Sequence, residues 1–404
     1  MAQAAIGLRI SCRSAMEAAT KSLSSSVSFT GVWERLRGFW TRSSEERLRE
    51  AEAKLLRDVA SKVKVTEVPI AADGQTVHTL CVPGKTAGLA PVVLIHGYFM
   101  GSSSWAHSLD SLASTGRNVY SIDWPCWGLS SKADFPTGEG TQVCEQFFVD
   151  GIERWRRSVG LDRVVLLGHS FGGYFAACYA MKHPENVEAL ILASPVGMGE
   201  QRDGRGLLHP ERLQALPWWQ RSLITTARDM WVGGWTPMDV VRALGPFGYW
   251  LAHWYVDRRF RGQRELGTMK ADKEDTAAYI HQLATRPPGS ERCLGELLAF
   301  GAWAKDPIGP RLLRRFQELG SRAPPVTLLY GEKDWMDAAA GVELAAALGS
   351  IKRPAPEVIV VEEAGHQLFL DHPAAFNAAC HRALGSGLPS VAGFYRQLFQ
   401  MAKR

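Results

Sequence analysis

Nowhere in its 404 residues does the chain hold the roughly 18 to 20 uninterrupted apolar residues that a bilayer crossing needs, so any membrane contact must be peripheral. Its seven cysteines, at positions 12, 81, 126, 144, 178, 293 and 380, are scattered, odd in number and without a C-x-x-C pair. That pattern argues against a disulfide framework or a zinc site and for a reducing compartment. Basic excess is also missing from most of the chain. Residues 1–65 hold 12 Lys and Arg against 7 Asp and Glu, and the remainder is balanced at 34 against 34, which places the net charge of +5 at the N-terminus. With no Lys/Arg stripe interleaved with stacking aromatics, nucleic acid is excluded as a partner and anionic lipid is the better expectation. Internal repeats and long low-complexity tracts are absent too.

What is present is enough apolar sequence, 46% against 22% charged, to bury a full core. Residues 1–30 carry Arg9, Arg13, Lys21 and many serines with one acid, Glu17. Two readings stay open for this segment. One is a transit peptide for a mitochondrion or chloroplast, the other a basic tail on a cytoplasmic, lipid-droplet or membrane-associated protein. In VWERLRGFW (32–40), Trp33, Leu36, Phe39 and Trp40 can share a helical face flanked by Arg35, Arg37 and Arg42, a composition suited to a membrane interface or to packing on the main domain. Ser43 with Glu46 then reads as a capping box opening a charged helix.

From residue 62 the period changes. VKVTEVPI and TVHTLCV alternate, and VVLIHG, VYSIDW, VVLLGHS, ALILASP, VTLLYG and EVIVVEEAGH follow as short apolar runs separated by helical stretches. Such runs are the signature of parallel strands buried on both faces. The expected fold is α/β, a mostly parallel sheet flanked by helices. We expect an N-terminal extension over 1–60, a core over 61–197 and 305–390, a helical cap rich in tryptophan over 198–304 and a tail over 391–404.

Gly168-His169-Ser170-Phe171-Gly172 fits G-x-S-x-G between a strand (VVLL) and a helix (GYFAACYAMKH). A serine on so sharp a turn needs small neighbours and presents its Oγ at the strand end, which makes Ser170 the candidate nucleophile. A hydroxyl needs a base, and the chain order of such sites puts an acid and then a histidine downstream. His366, after the last strand, supplies the base. The acid must follow the penultimate strand in YGEKDWMD, where Asp334 is favoured and Asp337 is a rival. An oxyanion hole requires two N–H groups, for which Phe171 and Tyr98 are the candidates, with Phe99 as the alternative to Tyr98. No metal and no organic cofactor is implied.

This pattern resembles the α/β-hydrolase fold family over residues 65–385. GHSFGGYFAACYAMKHPENV, TPMDVVRALGPFG, LLAFGAWAKDP, YGEKDWMD and GHQLFLDHPAAF look like its lipid-metabolic branch. That branch contains the animal lipid-droplet coactivator of triacylglycerol lipase, N-acylphospholipid lipases, and plant and algal lysophosphatidic acid acyltransferases with lipase activity. The resemblance implies a lipid acyl hydrolase, acyltransferase or both, acting through an acyl-enzyme on glycerolipids or lysophospholipids, with acyl-CoA as a possible co-substrate. It also implies work at a peripheral membrane or lipid-droplet surface. The animal coactivator lacks the serine that this chain keeps as Ser170. Members place the acid at positions matching either Asp334 or Asp337. His366 with Asp371 forms an H-x-x-x-x-D pattern that has been read as an acyltransferase motif; the plainer reading is that Asp371 anchors the final helix. Cys126 stands in DWPCWGLSS where related loops carry glycine. A reading of a different class is an adaptor on a membrane or droplet that regulates another lipase.

Overall fold

The computed structural model describes residues 43–59, 61–200, 210–259, 269–336, 338–350 and 355–385. The 1–30 segment, the Trp/Arg element over 32–42, Asp337 and the 391–404 tail lie outside the described residues.

Eight strands form one sheet: β1 (Lys64–Pro69), β2 (Thr76–Val82), β3 (Val92–Ile95), β4 (Val119–Ile122), β5 (Val164–His169), β6 (Val187–Ala193), β7 (Val326–Gly331) and β8 (Glu357–Val361). Their spatial order is β1-β2-β4-β3-β5-β6-β7-β8. β2 runs antiparallel to β1 and β4, and the pairs from β4 to β8 are parallel. The expected α/β class therefore holds. β3 and β5 are buried at every position because helices cover both faces, which is why their sequences read as unbroken apolar runs.

The helices that matter for the site are α1 (Glu45–Leu55), α2 (Thr141–Val159), α3 (Phe171–Lys182), α4 (Trp218–Val232), α5 (Pro237–Ala243), α6 (Gly248–Arg259), α7 (Met269–Thr285) and α8 (Pro373–Ala383). α4 to α7 lie in the insertion between β6 and β7, followed by a short hairpin pairing Leu298–Ala299 with Trp303–Ala304.

The cap of α1 differs from the expected one. Ser44, in an extended conformation, accepts the Arg47 N–H at 3.1 Å, whereas the Ser43 hydroxyl donates to the Gln282 carbonyl of α7. Adjacent serines offer the same chemistry, and the tertiary partner decides which of them is free to cap. α1 buries Leu48, which contributes on the order of 2 kcal/mol. It also inserts Glu52 against His78 of β2. The His78 imidazole is fully enclosed, with Nε2 3.0 Å from Glu52 and Nδ1 2.8 Å from Glu67. Burial alone would lower its pKa, but the two carboxylates outweigh this and raise it to about 10. A buried imidazolium thus fastens the N-terminal helix to the sheet.

Candidate active site

Ser170 sits where β5 ends and α3 begins, with φ 53° and ψ −115°. A non-glycine residue in that region costs on the order of 1 to 3 kcal/mol. The turn closes only because its flanks are glycine. A Cβ on Gly168 would meet the Gly172 carbonyl at 2.3 Å, and one on Gly172 would meet the Ile95 carbonyl at 2.1 Å. Both obstacles are backbone and cannot step aside.

The carboxyl ends of three parallel strands bring the other groups to this point. His366 follows β8, and its Nε2 lies 3.1 Å from Ser170 Oγ. Asp334 follows β7, and its Oδ1 lies 3.0 Å from His366 Nδ1. Burial would push the Asp334 carboxyl up, but hydrogen bonding and charge from His366, with the Met336 N–H at 3.0 Å, hold it below its ordinary value.

Two further histidines build the frame. His169 Nε2 donates to the His366 carbonyl at 2.8 Å, tying the residue before the serine to His366 through backbone. Burial drops its pKa to about 3, so it stays neutral. His96 Nδ1 donates to the Gly97 carbonyl at 2.8 Å while Nε2 accepts from the Trp124 N–H at 3.2 Å, a pattern that requires the neutral ring. Burial correspondingly lowers its pKa to about 4. Stacked on Trp124 at 4.6 Å, His96 fixes the turn that carries Tyr98.

Gly97 lets that turn approach the serine, since a Cβ there would come within 3.0 Å of Ser170 Cβ. The Met100 N–H closes the turn onto the Gly97 carbonyl, and Tyr98 and Phe99 stand between them. Phe171 is the first residue of α3, where an N–H has no acceptor within the helix. Tyr98, Phe99 and Phe171 all line the cavity that holds Ser170.

That cavity has a volume of about 720 Å³. Trp231 of α4, Tyr255 and Arg259 of α6 and Phe300 of the hairpin roof it, and Trp335 and Lys333 border it near His366. A second cavity of about 430 Å³, enclosed by α4, α5 and α6, shares Phe99, Trp231, Pro237, Tyr255 and Phe300 with the first. Backbone strain gathers here as well, because Phe99, Ser170 and Ala302 line the first cavity with positive φ.

Asp371 is not beside the serine. Its buried Oδ2 accepts the Gly365 N–H at 2.8 Å and an ion pair from Arg259, so it holds the loop that carries His366. The final helix is capped by the next residue, His372, whose Nδ1 accepts the Ala375 N–H at 3.3 Å. Asp371 therefore anchors the histidine loop and not α8. Arg259 also donates to Gln367, which donates in turn to the Tyr255 hydroxyl at 3.2 Å. Gln367 and Trp335 adjoin His366 and Asp334 in sequence and could have been suspected for that reason. Arg259, deep in the insertion, carries no sequence signal.

Cys126 adopts φ 61° and is buried, and burial raises its thiol pKa. The left-handed backbone accounts for the glycine that related loops carry at this place, and the raised pKa makes the side chain an inert filler.

The chain matches the family described as alpha/beta hydrolase fold over residues 90–373. Among curated relatives, a 1-acylglycerol-3-phosphate O-acyltransferase of Arabidopsis thaliana is 35% identical over 76% of this chain and 69% of its own length. The 1-acylglycerol-3-phosphate O-acyltransferase ABHD5 of Sus scrofa is 32% identical over 83% of this chain and 88% of that protein. A (lyso)-N-acylphosphatidylethanolamine lipase of Bos taurus is 29% identical over 83% and 91%. The Bacillus subtilis carboxylesterase CesB superimposes with a TM-score of 0.56 at 16% identity, over 85% of this chain and 99% of the esterase, a likeness of fold. The chain belongs to the α/β-hydrolase family, in company with relatives named as lipid acyltransferases and lipases.

Proposed function

We propose that the protein is a serine-dependent acyl hydrolase and acyltransferase of glycerolipids or lysophospholipids. The observation that carries this is the continuous line Asp334–His366–Ser170, at 3.0 and 3.1 Å, whose histidine and serine line a largely apolar chamber. His366 Nε2 takes the hydroxyl proton as Ser170 Oγ attacks the acyl carbonyl, and Asp334 stabilises the imidazolium that forms. The Phe171 and Tyr98 N–H groups receive the oxyanion. His366 then protonates the departing alcohol, leaving an acyl-enzyme. Water releases the acyl group as a fatty acid, whereas a lysophospholipid hydroxyl, deprotonated by the same histidine, takes it as an ester. Which product dominates follows from how well the bound acceptor excludes water. Acyl-CoA serves as an alternative acyl donor, with its thiol as leaving group.

The lipid reading is supported by the aromatic roof and the apolar side cavity. Asp371 acts through Gly365 as a positioning residue on both product branches.

The test is labelling with a fluorophosphonate, together with product analysis for lysophosphatidic acid plus labelled acyl-CoA. Labelling that disappears in Ser170→Ala, together with fatty acid and phosphatidic acid formation, supports the mechanism. Phosphatidic acid formation that survives in Ser170→Ala refutes the acyl-enzyme, and an absence of any turnover leaves the adaptor of another lipase as the function.

A further inference from the structure

α4 is a 15-residue helix with no fully buried residue. On it Trp218 is 76%, Leu223 64% and Val232 79% exposed, and on the neighbouring α6 Trp250 is 70% exposed. Exposed aromatics on two helices that wall the same cavity are unusual for a surface that meets only water. Both signs of charge lie among them, with arginines in excess. Arg221, Arg228 and Arg258 are exposed among them, against Asp229, which pairs with Arg228, and Asp257. Arg258 also lies over the Trp254 ring at 5.6 Å.

This patch is continuous with the openings of the two cavities. Trp235 and Trp254, both exposed, line the side cavity, and exposed Trp335 lines the chamber of Ser170. The inner faces of α4 and α6 wall the space in which an acyl chain would lie, and their outer faces carry the exposed tryptophans.

We propose that the outer face of α4 and α6 is a docking surface for a phospholipid bilayer, which seats the cavity openings on the source of the acyl chain. Indole rings favour the level of lipid headgroups, and arginines among them meet lipid phosphates and anionic headgroups. A protein partner covering the same face would close the rim through which lipid must enter; a bilayer supplies what the cavities take. The direction of this inference rests on the lipid reading of the site, but membrane binding and turnover are measured separately and can fail separately.

The experiment is co-flotation of the full chain with vesicles of phosphatidylcholine and phosphatidylserine. The wild type is compared with the triple variant Trp218→Ser/Trp219→Ser/Trp250→Ser, with Arg221→Glu, and with Trp33→Ser/Trp40→Ser. Trp218, Trp219, Trp250 and Arg221 do not line the two cavities. Binding should fall at least about tenfold in the triple variant, and Arg221→Glu should weaken binding to anionic vesicles more than to pure phosphatidylcholine. Melting temperature and hydrolysis of a soluble short-chain ester should stay at wild-type values. Full binding by the triple variant, or a wild type that never floats, overturns the proposal even where ester hydrolysis stands. Loss confined to the Trp33/Trp40 variant assigns docking to the N-terminal segment instead. A wild-type dimer that the triple variant makes monomeric identifies the face as a self-contact and also overturns it. Vesicle binding without ester hydrolysis leaves docking intact and removes the catalytic reading.

Discussion

Replacing Asp371 by asparagine separates two accounts of the H-x-x-x-x-D pattern. The carboxylate side chain is wholly buried, takes the Gly365 N–H at 2.8 Å and pairs with Arg259, whose side chain is 22% exposed. Asparagine keeps an oxygen for the Gly365 N–H but removes the charge opposite Arg259. Breaking a fully buried pair costs about 3 to 5 kcal/mol. Water reaching Arg259 reduces this, and a loss of about 2 to 3 kcal/mol is expected. If most of that appears as misplacement of His366, both hydrolysis and acyl transfer should fall by about 30- to 100-fold, since each 1.4 kcal/mol is a factor of ten in rate. The assay is parallel measurement of kcat/KM for fatty acid release and for phosphatidic acid formation on one preparation, with fluorophosphonate labelling rates as a third readout. A positioning residue lowers all three together and leaves their ratio unchanged. Acyl transfer abolished at wild-type hydrolysis and wild-type labelling would refute this account and make Asp371 a specific acyltransfer group.

Asp334→Asn should cut kcat by about 10³- to 10⁴-fold by leaving His366 in the wrong tautomer, while Asp337→Asn retains activity within a few fold; the reverse outcome in steady-state kinetics would reassign the acid. Gly172→Ala places a Cβ 2.1 Å from the Ile95 carbonyl and 2.5 Å from the His96 carbonyl, so fluorophosphonate labelling should be lost together with several degrees of melting temperature. The His78 cation, with its pKa raised to about 10, stabilises the fold fully below the unfolded value near 6.5, and that contribution is lost as pH rises towards 10. Between pH 7 and 9 the wild type should therefore lose on the order of 2 kcal/mol more stability in urea than His78→Gln, and equal losses would show that His78 is not held charged. His96 and His169 have lowered pKa values and act oppositely, stabilising above about 6.5 and losing that contribution as pH falls towards 4 and 3, so His96→Asn should flatten the acid limb of the stability profile.

The strands and the turn that carries Ser170 are legible because each depends on neighbours in sequence. VVLLGHS reads as a buried strand entering a strained turn, and the glycines at 168 and 172 are required within five residues of one another. Chain order alone then pointed to His366 and Asp334, although the serine and histidine that meet at 3.1 Å are 196 positions apart. Pairings with no local signal escaped. Nothing in TVHTLCV shows that His78 faces Glu52 of α1, because an antiparallel strand near the sheet edge is expected to have a wet face and this one is covered. Arg259 reaches Asp371 across 112 positions from an insertion whose helices have little periodic patterning. The Ser43 and Ser44 exchange shows the same limit at short range, because the choice was made by a carbonyl of α7.

The bond from His169 to the carbonyl of His366 has a further consequence. The two chain segments that deliver the serine and the histidine are joined by a link containing neither reactive atom. Removing the Ser170 hydroxyl therefore leaves the scaffold spacing intact, and Ser170→Ala should behave as a silent receptor that captures an uncleaved lipid in the chamber. A lipid soaked into or co-purified with such a variant would be identified directly by mass, so the same link that sets the spacing turns the disabled protein into a test of the lipid reading.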